Sequence, residues 1–407
     1  MSTPGNPLDL VCFHVGGYGD YSHANILAQT FPKRTIYVAF EARLDDADVN
    51  EQKSYLDKGV RTTLIQKCVS DHKGREKFYI NTHADSSSIY PPARRALFEH
   101  RPGEEGDLTW QANTVLDRIV ELPTVTLDEV IAEGSVSAPD MLSVDAQGAE
   151  LKILRGAERA IRSEILLIIT EVEFHRIYEG QPLFSDQFNL LYENGFRLAE
   201  IFAQQYWHPL ARAGFGLLTV GEALFLRDAE DYLAVPGVSR DRQIDKLIKL
   251  AVLAFLFGRL SIVANTLNIG AERFGPEVVE RIKSVPEYGV ILDVRDYIND
   301  NLHNYKRNPR FFDTSDKLIA QYGPVEELGR PSLRKIPIYP YTPSNMKEFE
   351  AELDLLRKKA AHMSEVEAEL DRLRKKDIKM REMEAELDYW RKRDTRRLFG
   401  VRRLWGR

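Results

Sequence analysis

Residues 141–184 read MLSVDAQGAELKILRGAERAIRSEILLIITEVEFHRIYEGQPLF and alternate between two kinds of pattern. Residues 141–144 are a short apolar run, and residues 149–161 carry apolar side chains at helical spacing. A second apolar run, 165–172, is followed by another helical pattern at 184–192. A strand and a helix that alternate in this way predict a parallel sheet with crossover helices.

The same alternation extends from about residue 8 to residue 228. Further strands are predicted at 10–15, 35–40, 61–68, 77–81, 196–202 and 223–226, and further helices at 21–30 and 46–56. The pattern predicts an α/β fold, with a Rossmann-like, mostly parallel sheet and helices on both of its faces.

The composition changes after Pro236. Residues 240–322 carry leucine and isoleucine at helical spacing, and a proline-rich stretch follows at 331–343. Apolar residues that recur every three to four positions indicate amphipathic helices. We therefore predict a small helical domain plus a proline-rich linker over residues 231–340.

A repeat dominates the next segment. It reads EAELDLLRKK at 350–359, EAELDRLRKK at 367–376 and EAELDYWRKR at 384–393, with successive starts 17 residues apart. Its apolar positions follow the spacing of a coiled-coil seam, with a stammer in each repeat. We predict that residues 341–393 form a coiled coil through which the chain self-associates, a solitary charged helix held by i,i+4 ion pairs being the alternative.

The final segment is strongly basic. Residues 391–407 hold eight Lys and Arg against one acid, with leucine, phenylalanine and tryptophan between them. Such a segment is suited to the surface of an anionic membrane. We therefore predict an amphipathic tail at 394–407 that contacts the inner face of the membrane; a disordered basic tail, or one packed on an acidic partner, are the alternatives.

The overall composition is typical of a globular protein. The 407 residues are 43% apolar and carry a net charge of −6, which does not favour nucleic-acid binding. The N-terminus lacks the pattern of a secretory signal, and Cys12 and Cys68 lie in strand-like runs. We therefore expect two buried thiols in a reducing cytoplasm.

A glycine-rich turn follows the first predicted strand. Residues 14–19 read HVGGYG, and Glu41 ends the second predicted strand. Glycines let the backbone approach a ligand closely, and a carboxylate can accept hydrogen bonds from both hydroxyls of a ribose. These features alone indicate a nucleoside-binding protein, and they leave a nicotinamide enzyme and a methyltransferase equally open.

Residues 141–184 distinguish between these two enzyme classes, because the segment resembles the FkbM-type family of S-adenosylmethionine-dependent methyltransferases. The matching residues are Asp145, Gly148, Glu150, Leu154, Gly156, Ala157, Glu171, Val172, Phe174, Tyr178, Gly180 and Gln181. The resemblance extends over residues 9–228, so we assign residues 1–230 to a Rossmann-like class I methyltransferase domain.

The resemblance implies a function and a set of site residues. The function is O-methylation of a sugar hydroxyl, on a cell-surface glycan, a glycolipid, a nucleotide sugar or a related metabolite. The implied S-adenosyl-L-methionine site comprises His14, Gly16, Gly17, Tyr18, Gly19, Glu41, Ser70, Asp71, Asp145 and Gln147. The implied catalytic residues are Asp145, Glu173 and His175, the substrate-binding residues are Ser87, Ser88 and Tyr178, and no metal is expected.

These roles follow from the chemistry of methyl transfer, which needs in-line alignment and removal of a proton from the acceptor. Each residue also has a purely structural alternative. Asp145 could cap a helix, Glu173 and His175 could form loop hydrogen bonds, and the serines at 87 and 88 could cap a turn.

Two departures from the family pattern keep rival functions open. His14 stands where the family usually has an acid, in a glycine turn one residue shorter, and Gln147 replaces another acid. A methyltransferase-like scaffold without catalysis is therefore the main alternative. A nicotinamide oxidoreductase is supported only by the glycine turn and Glu41, and methylation at nitrogen is also open.

Overall fold

A computed structural model describes residues 6–16, 25–42, 46–93, 114–207 and 217–300 of the chain. The predicted coiled coil at 341–393, the linker at 331–343 and the basic tail at 394–407 lie outside these residues. Those three assignments therefore stay predictions.

Seven strands of the described residues form one large sheet. They are β1 (Leu10–Val15), β2 (Thr35–Glu41), β3 (Arg61–Gln66), β7 (Met141–Val144), β8 (Leu167–Glu173), β9 (Phe196–Trp207) and β10 (Leu217–Arg227). Their spatial order is β3-β2-β1-β7-β8-β10-β9, and only β10 runs against its neighbours. The predicted α/β fold with a mostly parallel sheet is thus confirmed.

The central strands are apolar on both sides because the sheet is covered on both faces. In β1, Leu10 and Cys12 belong to one apolar cluster, whereas Val11, Phe13 and Val15 belong to another. Alternate residues of a strand point to opposite faces, so the continuous apolar run predicted at 10–15 supplies both cores.

A second, three-stranded sheet contains β4 (Cys68–Val69), β5 (Gly74–Asn81) and β6 (Leu116–Val125), in the order β4-β6-β5. The strand predicted at 77–81 belongs to this small sheet. The sequence analysis did not predict β6, since most of its side chains are exposed and its apolar pattern is weak.

Helices pack around the large sheet. Those within the described residues are α1 (Asn25–Thr30), α2 (Asp46–Asp57), α3 (Leu127–Ala132), α4 (Glu150–Arg155), α5 (Glu158–Ser163), α6 (Phe184–Glu193), α7 (Ala229–Leu233), α8 (Arg240–Leu256), α9 (Leu260–Phe274), α10 (Glu277–Lys283) and α11 (Val290–Asp300). None of them is both long and apolar enough to cross a membrane.

The single helix predicted at 149–161 is two short helices, α4 and α5, separated at Gly156. The backbone of Gly156 lies against the carbonyl of Ser70, and a Cβ atom there would be only 2.1 Å from that oxygen. The close approach of a neighbouring chain segment, which local spacing cannot reveal, accompanies this break.

The C-terminal helices of the described region share a core with the sheet. Apolar residues of α8 to α11 lie in the same cluster as Leu10 of β1 and Leu224 of β10. Helix α8 is buried along most of its length, as the spacing of its leucines predicted.

A buried charge cluster joins α8 to the sheet. Asp140, which precedes β7, is 1% exposed and accepts hydrogen bonds from Lys246 Nζ at 2.8 Å and Lys249 Nζ at 3.0 Å. Its Oδ2 also accepts a bond from the backbone N–H of Val11 at 2.9 Å. Burial by itself would raise the pKa of Asp140, but the two ammonium groups lower it. This cluster lies at the end of β7 opposite to Asp145.

Candidate active site

The carboxyl ends of β1, β2 and β7 meet at one edge of the large sheet. The N–H of Gly16 donates to the carbonyl of Phe40 at 3.1 Å, and the N–H of Asp145 donates to the carbonyl of Val15 at 3.0 Å. Glu41 is the last residue of β2 and follows the partner of Val15. The strand order reverses between β1 and β7, which is where open α/β sheets bind their ligands.

Gly16 is essential to this arrangement. It adopts φ +71°, and a Cβ atom on it would lie 2.1 Å from the carbonyl oxygen of Asp145. Only glycine allows the end of β1 and the turn after β7 to come this close.

The turn after β7 is held by an unusual set of bonds. Gln147 and Gly148 both have positive φ, 53° and 92°. Glu150 Oε1 accepts hydrogen bonds from the N–H groups of Ala146 at 2.8 Å and Gly148 at 3.1 Å. The N-cap of α4 is Ala149, without a side-chain cap, so Asp145 does not fill the helix-capping role considered from sequence.

Gln147 connects the turn to its surroundings. Its Nε2 donates to Asp145 Oδ1 at 3.0 Å and lies 3.4 Å from Glu171 Oε2. The hydroxyl of Tyr178 is 3.2 Å from its Oε1, and the hydroxyl of Ser88 donates to its carbonyl at 2.6 Å. A non-glycine residue with positive φ, held by this many contacts, is typical of a functional site.

Five acidic side chains meet beside Gln147; we call them the acidic cluster: Asp145, Glu150, Glu171, Glu173 and Glu222. Glu171 and Glu173 alternate along β8 and therefore share one face of the sheet. Glu222 of β10 pairs with Glu171, and Val144, just before Asp145, pairs with Thr170. Three adjacent strands thus place acids side by side.

Ionising all the carboxyl groups of the acidic cluster is energetically unfavourable. Burial, followed by neighbouring carboxylates, raises the pKa of Glu171 and of Glu173 well above the ordinary carboxyl range. Burial also raises the pKa of Glu150 to about 7, against the lowering effect of its backbone hydrogen bonds. Acids with raised pKa values at the carboxyl edge of a parallel sheet indicate a functional site.

The residues predicted to bind substrate lie next to the cluster, and several have protein partners. Ser87 Oγ accepts a hydrogen bond from the N–H of Asn81 at 3.2 Å, and Ser88 is fully buried. Tyr178 is 1% exposed, and its hydroxyl lies 2.9 Å from the carbonyl of Ser86. The ring of Tyr178 therefore packs in the interior.

The remaining predicted residues are distributed more widely. His14 is buried within β1, with Nδ1 3.1 Å from Ser143 Oγ. Ser70 and Asp71 follow β4, and Asp71 pairs with His72 at 2.7 Å. His175 is half-buried just beyond the end of β8, and Gly17, Tyr18 and Gly19 lie outside the described residues.

The structure adds two residues to the site that the sequence analysis did not assign, Glu171 and Glu222. The apolar run 165–172 contains one acid, Glu171, and this was a readable signal, because an acid inside a buried strand needs a stabilising partner or a function. No comparable signal marks Glu222, whose place depends on the pairing of β10 with β8.

Comparisons with known proteins find one family and two solved structures that are similar to this chain. Residues 16–198 match the family described as methyltransferase FkbM domain. A solved methyltransferase FkbM from Methylobacillus flagellatus KT is 15% identical, with a TM-score of 0.31, over 54% of this chain. The match spans 44% of that protein's length. A precorrin-6y C5,15-methyltransferase from Geobacter metallireducens GS-15 is 12% identical, with a TM-score of 0.27, over 54% of this chain and 81% of its own.

A search of curated proteins found no match. The family match covers the glycine turn, Glu41, the turn after β7 and the acids of β8. Residues 16–198 are therefore similar to the FkbM methyltransferase domain, as the motifs predicted.

Proposed function

We propose that the protein transfers a methyl group from S-adenosylmethionine to a hydroxyl of a sugar-containing acceptor. The observation that carries this proposal is the sheet edge at which Gly16, Glu41 and Asp145 lie at the carboxyl ends of three adjacent strands, within the residues that match the FkbM domain. That the acceptor is a sugar follows from the resemblance alone. An assay with a panel of nucleotide sugars and glycans tests it directly.

The residues at this sheet edge fit this cofactor. Gly16 lets the backbone come close to a ligand, which a Cβ atom would prevent, and Glu41 offers two oxygens to ribose hydroxyls. When bound, S-adenosylmethionine supplies an electrophilic methyl group. A positive charge beside the acidic cluster would offset the repulsion among its carboxyl groups, which suits the sulfonium of this cofactor.

On the acceptor side, β8 supplies the proton-accepting group. Glu173 is buried at the end of β8, where burial raises its pKa, and its carboxylate is the group that accepts the proton of the acceptor hydroxyl. Asp145, held by Gln147, aligns the acceptor, and the carboxylates of β8 can accept hydrogen bonds from neighbouring sugar hydroxyls.

Replacing Asp145 by Ala tests this assignment. We expect methyl transfer to fall about 10²-fold or more, because misplacing reacting groups by about 1 Å has that effect. The measurement is transfer of labelled methyl from S-adenosylmethionine to a panel of nucleotide sugars and glycans, with calorimetry of cofactor binding. Asp57→Ala, at an exposed position at the end of α2, is the matched control and should leave both unchanged.

A binding or scaffold protein without methyl transfer is the second candidate, and His14 is the observation that favours it. Its imidazole is buried against Ser143 and does not supply the negative charge that the family usually has there. Calorimetry separates the two functions, since a scaffold of this kind would show no saturable binding of S-adenosylmethionine.

We also propose that the C-terminal segments determine assembly and location. Deleting residues 345–407 should abolish self-association and binding to vesicles with anionic lipids, and leave methyl transfer intact. Sedimentation and vesicle flotation are the measurements. If the truncated chain associates as the full chain does, the coiled-coil assignment is wrong.

A further inference from the structure

Gln181 organises the segment that follows β8. Its side chain is fully buried, and its Oε1 accepts hydrogen bonds from the N–H groups of Ile177 at 2.9 Å and Tyr178 at 3.1 Å. Its backbone carbonyl accepts a further hydrogen bond from Nε of Arg176 at 3.0 Å. The chain after β8 therefore closes around this one residue, which belongs to the motif that resembles the FkbM family but has no role in the function proposed above.

The two backbone donors decide which way the Gln181 amide points. An amide oxygen accepts hydrogen bonds and an amide nitrogen donates them, so the opposite orientation would place two N–H donors against an NH2 group. Nε2 must therefore point away from these backbone N–H groups. It packs against Gly148 in the turn after β7, where a Cβ atom would lie only 2.9 Å from Nε2.

Glu173 lies where this nitrogen needs an acceptor. Nε2 of Gln181 and Oε2 of Glu173 are both buried, and neither has a hydrogen-bond partner among the described residues. The first is a donor and the second is an acceptor, and the Gln181 amide faces the Glu173 carboxyl group and lowers its pKa. Leaving both groups unpaired would cost the desolvation of each, and pairing them removes both costs.

The other groups around Glu173 oppose its ionisation. Burial raises its pKa most, and the carboxyl groups of Glu150 and Asp145 raise it further. Glu171 and Glu173 repel each other along β8, and burial keeps the phenol of Tyr178 uncharged. The backbone N–H of Glu173 itself counteracts these effects, together with the amide described above. A donor that favours the charged form is what a buried carboxyl group needs in order to accept a proton.

We propose that Gln181 is the positioning residue of Glu173. Its amide nitrogen donates a hydrogen bond to Oε2 of the ionised Glu173, which fixes the direction of the carboxylate. Because Gln181 also packs against Gly148, it connects the turn after β7 with the end of β8. The contact between the two side chains stands by itself; its use in taking a proton from the acceptor hydroxyl rests on the proposed function.

The test titrates Glu173 in the full chain, labelled with ¹³C at glutamate Cδ and free of cofactor and acceptor. Its NMR signal is identified by its loss in Glu173→Gln. Gln181→Met keeps the length of the side chain and removes the donor, so the pKa of Glu173 should rise by about one to two pH units, the worth of a hydrogen bond to a charged group. The acid limb of the pH profile of kcat should move to higher pH by the same amount, with KM for S-adenosylmethionine unchanged.

Gln187→Met is the matched control. Gln187 is also a buried glutamine, on α6, but its amide accepts a hydrogen bond from the hydroxyl of Thr170 at 2.9 Å and donates to the backbone carbonyl of Glu171 at 3.1 Å. Its loss should lower the stability in thermal unfolding and leave the pKa of Glu173 unchanged. An equal shift in the two variants, or no shift in folded Gln181→Met, would overturn the proposal.

A second measurement leaves Gln181 unaltered, so it decides the question even if Gln181→Met does not fold. With ¹⁵N-labelled glutamine, the side-chain amide signal of Gln181 is identified by its cross-peaks to the N–H groups of Ile177 and Tyr178. This signal should move as Glu173 ionises and should stay constant over the same pH range in Glu173→Gln. An identical pH response in the two proteins would contradict the contact. Neither titration needs an acceptor, so failure of this inference is distinguishable from failure of the proposed methyl transfer.

Discussion

Asp140→Ala is expected to destabilise the protein by about 3–5 kcal/mol, because it leaves the buried ammonium group of Lys249 without its counter-charge and that of Lys246 with Glu164 alone. Lys246 and Lys249 are 5% and 8% exposed, and both point at this one carboxylate. The substitution also removes the acceptor for the N–H of Val11 in β1. One side chain therefore holds together β1, the start of β7 and helix α8.

Urea unfolding of Asp140→Ala, Asp140→Asn and Glu158→Ala measures this effect. Asp140→Asn can still accept the bond from Val11 but lacks the charge, so a large loss in this variant assigns the effect to the lysines. Glu158 forms an exposed pair with Arg162, and its removal should cost less than about 0.5 kcal/mol. A cost for Asp140→Ala no larger than that of Glu158→Ala would contradict the prediction.

The charge cluster around Asp140 makes the stability of the fold depend on pH. The lysines lower the folded-state pKa of Asp140 below its unfolded value. Its stabilisation is therefore complete above the ordinary carboxyl range and is lost as the pH falls towards the folded-state pKa.

Gly16→Ala is expected to reduce methyl transfer strongly and to destabilise the fold. The new Cβ would lie 2.1 Å from the carbonyl oxygen of Asp145, a backbone atom that cannot move without displacing the turn after β7. Forced shifts of this kind cost about 1–3 kcal/mol or more, in addition to the strain of a positive φ. Displacement of the turn by about 1 Å would reduce transfer about 10²-fold.

Gly134→Ala is the matched control for this variant. Gly134 has nearly the same φ, +73°, but a Cβ there meets nothing within 4 Å. Strain alone should cost about 1–2 kcal/mol and leave activity unchanged. Thermal unfolding and the methyl-transfer assay on both variants separate the strain of a positive φ from the steric clash of the new Cβ atom. If the two variants lose stability and activity equally, Gly16 matters only for its backbone angle.

Local patterns predicted the parts of the fold that depend on short-range spacing. The apolar runs at 10–15, 35–40 and 165–172 became central strands, because a strand covered on both faces must be apolar throughout. The predicted strand at 77–81 exists, but its membership of a separate sheet depends on β6, which is distant in sequence and mostly exposed. The division of 149–161 into two helices accompanies the contact of Gly156 with Ser70, which no local pattern records.

The sequence by itself determined most of the alternation of strands and helices and the resemblance of residues 16–198 to the FkbM family, because these depend on neighbouring residues and on motifs in a fixed order. It also predicted Gly16 and Asp145 as site residues. Only the tertiary structure decided that Glu171 and Glu222 join Asp145, that Gln147 bridges Asp145 and Glu171 from a left-handed backbone, and that two lysines of α8 neutralise Asp140. These groupings depend on strand order and register, which bring together residues that are far apart along the chain.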